Sequence, residues 1–269
     1  MTFSQKLQQV TSSLGIGLCV GLDPDPDRLP EQFSPDLNGI SDFLHEIISI
    51  TKPFAAAYKV NTAFYEAWGA SGWQVLENVA FSLPPNTLRI ADAKRGDIGN
   101  TTKHYAKAFF ERLPFDAITL SPYMGGDTLQ AYLENPDKGA FTLALTTNPG
   151  SADLQHFSDG RTMLYQKVLS LIPTWAPHKN LGAVVGATHP QELKQIRADF
   201  PQVPLLVPGI GAQGGDAQAI VDASGPHRAP VLVNVSRAII FPQDEKNFPL
   251  NIADACKKFC QLLNIKIEK

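Results

Sequence analysis

The stretch Leu88-Arg-Ile-Ala-Asp92-Ala-Lys94-Arg-Gly-Asp97-Ile-Gly-Asn-Thr101 gathers two carboxylates and an ammonium into one short run. Its alternating apolar start and glycine-punctuated polar end predict a buried strand that runs out into a loop and then a helix. Residues two apart in a strand share a face, so Asp92 and Lys94 project side by side while Ala91, Ala93 and Arg95 face the other way. Taken alone, such a pair is equally an ion pair closing a barrel rim. Asp97, three residues on and across Gly96, adds a second carboxylate near the same lysine. Carboxylates around an ammonium keep it charged, and a fixed positive charge can stabilise negative charge that develops on a substrate.

The elements that must position these groups follow one rhythm. Short β-branched or alanine-rich runs over residues 16–22, 54–60, 88–94, 117–120, 140–145, 182–186, 205–207 and 231–235 read as strands. Amphipathic segments such as 40–51, 102–112, 191–200 and 252–263 read as helices between them. Strict alternation implies parallel strands with helical crossovers, and eight units favour a closed (β/α)8 TIM barrel, expected as a single domain over residues 1–269. Proline-rich pieces at 24–35 and 148–160 read as loops on its rim.

In such a barrel, chemistry gathers at the C-terminal ends of the strands. Those ends supply Asp23, Lys59 and Asn61, Asp92 and Lys94, Ser121, Thr146-Thr147-Asn148, Pro208-Gly209-Ile-Gly211-Ala-Gln213, and Asn234-Val-Ser236-Arg237. Lys59, Asp92, Lys94 and Asp97 would form an alternating row of zero net charge, which eases the cost of desolvating them. Lys59 could also be a rim lysine reaching water, but its setting in Ala-Ala-Ala-Tyr-Lys-Val-Asn points to function. The glycines after strand seven, a following helix N-terminus and Arg237 after strand eight suit a phosphate. Tight turns alone would be the plainer use of those glycines.

Composition sets the outer limits. The 269 residues carry a formal charge of -3, which leaves no basic footprint for nucleic acid. No apolar run approaches membrane-spanning length and residues 1–14 are polar, so a soluble cytoplasmic protein is expected. Cys19, Cys256 and Cys260 are odd in number and lack a nearby histidine, which argues against a disulfide framework or a zinc site.

Asp92-Ala-Lys94-Arg-Gly-Asp97-Ile-Gly-Asn-Thr101 resembles the signature of orotidine 5′-phosphate decarboxylases, in the variant that reads DAKRGDI. Gly21-Leu22-Asp23, Tyr58-Lys59-Val60-Asn61, Pro208-Gly-Ile-Gly-Ala-Gln213-Gly-Gly and Ser236-Arg237 match the family's other motifs in order, across essentially the whole chain. The resemblance implies conversion of orotidine 5′-monophosphate to uridine 5′-monophosphate and CO2 with no metal or organic cofactor. It implies Lys94 as the acid that protonates C6 and Asp92 against the substrate carboxylate. Lys59 would link Asp92 to the ribose hydroxyls, which Asp23 also binds. Asp97, Ile98 and Thr101 would enter the other subunit's pocket, making the active unit a homodimer. Gln213 would bridge phosphate and pyrimidine, with Arg237, Ser236 and the backbone at Gly209 and Gly211 on the phosphate. Thr147 stands where the family commonly has a serine against the pyrimidine, and Asn148 competes for that role. The Gln213 loop and 148–160 are candidate lids.

Two other readings share these residues. A sugar-phosphate lyase or synthase of the same superfamily would use the carboxylates to hold Mg2+, a role that Lys59 disfavours because its ammonium would compete with the cation. A catalytically dead phosphate-ligand binding barrel would have no need of an intact Asp-Lys-Asp row.

Overall fold

The computed structural model of the protein describes residues 1–211, 215–241 and 247–267. Eight parallel strands close into a barrel in sequential order: β1 (Ile16–Gly21), β2 (Ala57–Asn61), β3 (Leu88–Arg95), β4 (Ala117–Leu120), β5 (Gly139–Leu145), β6 (Leu181–Val185), β7 (Leu205–Pro208) and β8 (Val231–Val235). The helices are α1 (Phe3–Val10), α2 (Leu37–Thr51), α3 (Ala63–Glu66), α4 (Gly69–Ser82), α5 (Gly99–Lys107), α6 (Gln130–Leu133), α7 (Ser151–Leu154), α8 (Leu164–Trp175), α9 (Pro190–Asp199), α10 (Ala217–Asp222), α11 (Arg237–Ile240) and α12 (Phe248–Leu262). This is the (β/α)8 TIM barrel that the alternation implies. Among the described residues no helix is long and apolar enough to cross a membrane.

The element boundaries differ from the sequence expectation where local hydrogen bonding decides them. Residues 54–56 do not begin β2, because the Phe54 and Ala55 N–H groups both donate to the Thr51 carbonyl and finish the helix before them. Helix α2 starts at Leu37, earlier than residue 40, because the Asp36 carboxylate accepts from the N–H groups of Asn38 and Gly39, each at 2.9 Å. The segment expected as one helix over 102–112 starts at Gly99 and loosens into a π-helical turn from Ala108 to Arg112.

Two apolar layers hold the barrel. Outward-facing strand residues pack against the helices in the larger cluster, and a smaller cluster fills the interior. Helix α1 precedes the first strand and plugs the lower end of the barrel. Its N-terminus is closed by a Thr2–Gln5 capping box, and Phe3 and Leu7, one turn apart, are buried among Cys19, Leu88, Phe141 and Leu232. The Phe3 ring meets Phe141 edge-on at 6.0 Å between centroids. Gly139 is required there, because a Cβ on it would come within 2.5 Å of the Phe3 ring. Lys6 on the same helix donates to Asp116 at 2.7 Å. With its lower end filled, the barrel opens only upward, and that end carries the polar side chains described next.

Phe3→Ala should cost about 3–5 kcal/mol of unfolding free energy, the range for emptying a buried aromatic site. A fall in the urea midpoint would show it, and an unchanged midpoint would mean that α1 does not close the barrel.

Candidate active site

Strand β3 carries the reactive pair, and its end is irregular. Ala91 pairs with Ile118 and Arg95 with Leu120, so β3 takes four steps where β4 takes two. Such a bulge bends the strand and re-aims its side chains. Within it Lys94 has φ +47°, in the left-handed region that few residues other than glycine occupy. Its ammonium nevertheless returns to Asp92, with Nζ 2.6 Å from Oδ1, so the side-by-side placement expected from the spacing is realised. Arg95 faces outward to an ion pair with Glu66 and lies over the Tyr105 ring.

Lys59 on β2 completes a second contact, its Nζ 2.7 Å from Asp92 Oδ2 and 3.8 Å from Asp23 Oδ1. The row within one chain is therefore Asp23, Lys59, Asp92, Lys94, alternating and neutral. Lys59 and Asp92 are buried, whereas the Lys94 side chain is 49% exposed. Burial, the largest single influence on Asp92, favours its neutral form. The ammonium groups of Lys59 and Lys94 override it and hold the carboxyl well below the usual carboxylate range. For Lys59 burial likewise opposes the charge, and Asp23 and Asp92 together push its ammonium above the ordinary lysine range. Both therefore stay charged at neutral pH.

Above this row lies a cavity of about 560 Å3. Leu143, Val184 and Leu206 give it an apolar lining, and Asn61, Thr119 and Asn234 add polar groups. On one side Gly209 (φ +105°) and Gly211 (φ +91°) adopt backbone that a side chain would strain, and the Gly215 N–H donates to the Gly209 carbonyl at 3.0 Å. Gly209, Ser236 and Arg237 line the cavity beside this turn. Gly21 makes room for Ser236, since a Cβ there would stand 1.8 Å from its hydroxyl. Thr146, Thr147, Asn148 and Gln155 line the cavity as well. Gln155 clamps the end of β5, accepting from the Thr146 N–H at 2.7 Å and donating to its hydroxyl at 2.8 Å. The 148–160 segment is thus tied to the barrel by Gln155 and contains α7. The methyl of Thr147 points to Gly186, where any Cβ would come within 2.5 Å of it.

Three expected residues lie away from their own chain's cavity. Asp97 makes no ion pair with Lys94; its carboxylate accepts from the Ile98 N–H at 2.8 Å instead. Within one chain, therefore, Asp97 does not stand beside Lys94, and Asp23 supplies the second carboxylate of the row. Ile98 is 61% exposed, and Thr101 is exposed on α5. Gln213 falls outside the described residues. Gly211 shapes the turn but does not line the cavity. Cys19, Cys256 and Cys260 are free and buried, and burial pushes the thiols of Cys19 and Cys256 up to about 12. Sequence reasoning missed Thr119 and Gln155. Thr119 was open to notice as the one hydroxyl within Ala-Ile-Thr-Leu.

Known proteins are similar to the chain along nearly its whole length. Residues 17–247 match the family described as orotidine 5'-phosphate decarboxylase / HUMPS. Curated orotidine 5'-phosphate decarboxylases from Dehalococcoides mccartyi and Herpetosiphon aurantiacus are similar to the chain. The first is 43% identical over 98% of both proteins, and the second 44% identical over 96% of this chain and 95% of the relative. The solved structure of Leishmania donovani OMP decarboxylase superposes with a TM-score of 0.85 at 36% identity, covering 98% of each chain. Leishmania donovani UMP synthase gives a TM-score of 0.86 at 38% identity, with 98% of this chain matching 56% of that longer one. The chain belongs to the orotidine 5′-phosphate decarboxylase family of carboxy-lyases.

Proposed function

We propose that the cavity binds orotidine 5′-monophosphate and that Lys94 protonates C6 as CO2 departs, without metal or organic cofactor, on the route to uridine 5′-monophosphate. The observation that carries this reading is the Lys94 ammonium held 2.6 Å from Asp92 at the edge of the cavity. The C6–carboxylate bond breaks, its electron pair stays on C6, and CO2 leaves neutral. That pair lies in the ring plane where the π system cannot spread it, so an adjacent ammonium is the natural stabiliser. An N–H proton of Lys94 then passes to C6, and the neutral amine regains a proton from solvent.

The resemblance to the family supports the roles of the other residues. Asp92 faces the substrate carboxylate, a repulsion that falls as neutral CO2 forms. Asp23 Oδ1 is buried without a hydrogen-bond partner among the described residues and serves as acceptor for a ribose hydroxyl, beside Lys59. Arg237, Ser236 and the Gly209–Gly211 turn hold the phosphate, with Gln213 bridging to the pyrimidine. Thr147 or its competitor Asn148, both of which line the cavity, contacts the pyrimidine. The ammonium of Lys59, 2.7 Å from Asp92, would compete with a divalent cation for that carboxylate, which disfavours the metal-dependent reading. Because Asp97, Ile98 and Thr101 turn away from their own cavity, we assign them to the cavity of a second copy, in a homodimer. Unpaired cysteines suit a cytoplasmic setting.

Three outcomes test this reading. Lys94→Ala should lower kcat by at least about 10²-fold, the smaller end of what a general acid contributes, with the dimer unchanged; near-normal turnover would remove Lys94 as donor. Asp97→Ala should also be inactive, and equal mixing of the two variants should restore about one quarter of wild-type sites if each site draws on both chains. Verified heterodimers without activity would contradict the shared site. The folded value of Asp92 lies below its unfolded one, so its ionic contribution to stability is present above about pH 4 and lost as pH falls. That of Lys59 is present below about pH 10 and lost as pH rises. The destabilisation by Asp92→Asn should accordingly be constant from about pH 5 to 9 and shrink in acid. Urea midpoints at a series of pH values check this, and a cost that varied through neutrality would contradict the assigned charges.

A further inference from the structure

We propose that Thr119 is a positioning residue for the proton transfer, one hydroxyl that aims Lys94 by holding both its backbone and its carboxylate partner. The proposal rests on Lys94 being the proton donor.

The bulge in β3 creates the need. Between Ala91 and Arg95 the ladder to β4 is interrupted, and Thr119 is the β4 residue facing the interruption. The Lys94 N–H donates to the Thr119 hydroxyl oxygen at 3.0 Å. With that oxygen accepting from Lys94, its proton is directed to Asp92, and Thr119 Oγ1 lies 2.9 Å from Asp92 Oδ1. The same carboxylate oxygen holds the Lys94 ammonium at 2.6 Å. A closed ring results: Lys94 backbone, Thr119 hydroxyl, Asp92 carboxylate, Lys94 ammonium.

Each part of the ring constrains the proton donor. Lys94 sits at φ +47°, a conformation that persists only where its surroundings determine it, and the Thr119 bond is the side-chain contact on its N–H. Asp92 Oδ1 has two donors that fix the plane of its carboxylate, and that plane sets where the ammonium rests. Thr119 is only 1% exposed, so water does not substitute for its hydroxyl. A valine has the same shape and makes neither bond, whereas a serine makes both.

Steady-state kinetics on Thr119→Val and Thr119→Ser test the proposal. Thr119→Val should lower kcat about 10- to 100-fold, with KM and UMP affinity changed less than about twofold, since a misaimed donor affects the reaction rather than binding. Thr119→Ser should return kcat to within about threefold of wild type. Exchange of the C6 hydrogen of UMP with D2O, the reverse of the proton step, should slow in parallel with kcat. If Thr119→Val does not fold, Thr119→Ala replaces it in the same comparison. Unchanged kcat in the hydroxyl-free variant, a serine variant as impaired as it, or unaffected C6 exchange would each overturn the role of Thr119. Lys94→Ala separates the two readings. An active Lys94→Ala protein overturns the donor itself; an inactive one beside a fully active Thr119→Val protein overturns only Thr119.

Discussion

The structure depends on one buried cation. Lys59 lies beneath the cavity between Asp23 and Asp92, and taking such a charge out of water costs several kcal/mol unless close partners offset it. Here two carboxylates do so, from strands on either side. Gly21 pairs with Lys59 and Asn61 with Asp92, so parallel register in the closed barrel brings the ends of β1, β2 and β3 to one level. Loss of any member would leave an uncompensated buried charge, which is more damaging than never having had the pair. The row thus constrains the register of three strands as well as the chemistry above them.

The two lysines are held by opposite means. Lys59 is enclosed and fixed at both carboxylates, so it serves as a static charge. Lys94 has a half-exposed side chain on a backbone conformation that costs of order 1–3 kcal/mol. That strain is stored at the residue assigned to move a proton. In an open, wet cavity its attraction to developing charge is weakened by solvent; with water displaced by substrate the same geometry acts at lower effective dielectric. A single ion contact cannot provide the roughly 8–23 kcal/mol by which enzymes lower barriers, so binding of the remote phosphate and ribose must contribute.

Much of this was legible in the sequence, for identifiable reasons. Short β-branched or alanine-rich runs marked the strands, because both faces of a barrel strand are buried. The Asp92-Ala-Lys94 spacing pointed to a shared face, and the contact forms although Lys94 lies in a bulge where regular strand geometry no longer holds. Asp97 could not be placed in the same way, since its position depends on a bulge that no residue pattern announces. Helix α1 was hidden within a polar stretch because only Phe3 and Leu7 need be apolar to plug the barrel. Thr119 escaped because a threonine in a strand is ordinary until its neighbour across the ladder is known to be irregular. Gln155 escaped for a related reason: its partner, the end of β5, is distant from it only in secondary structure, and a side-chain clamp over nine residues has no periodic signature.

Charge balance explains why the proposed site divides its work between two ends. One chain's row is neutral, and a partner's Asp97 would make it net negative where the substrate carboxylate must sit. That carboxylate meets repulsion which disappears as CO2 leaves, so the unfavourable contact belongs to the ground state. In the proposed function the phosphate, itself anionic, is met instead by Arg237 and the Gly209 turn, which line the same cavity. Attraction at the phosphate end then holds in place a group that the other end repels. This works only if the two ends are kept apart by rigid strands, since a flexible site would let the substrate retreat from Asp92 while keeping its phosphate bound. A closed barrel with its lower end packed by α1 supplies that rigidity.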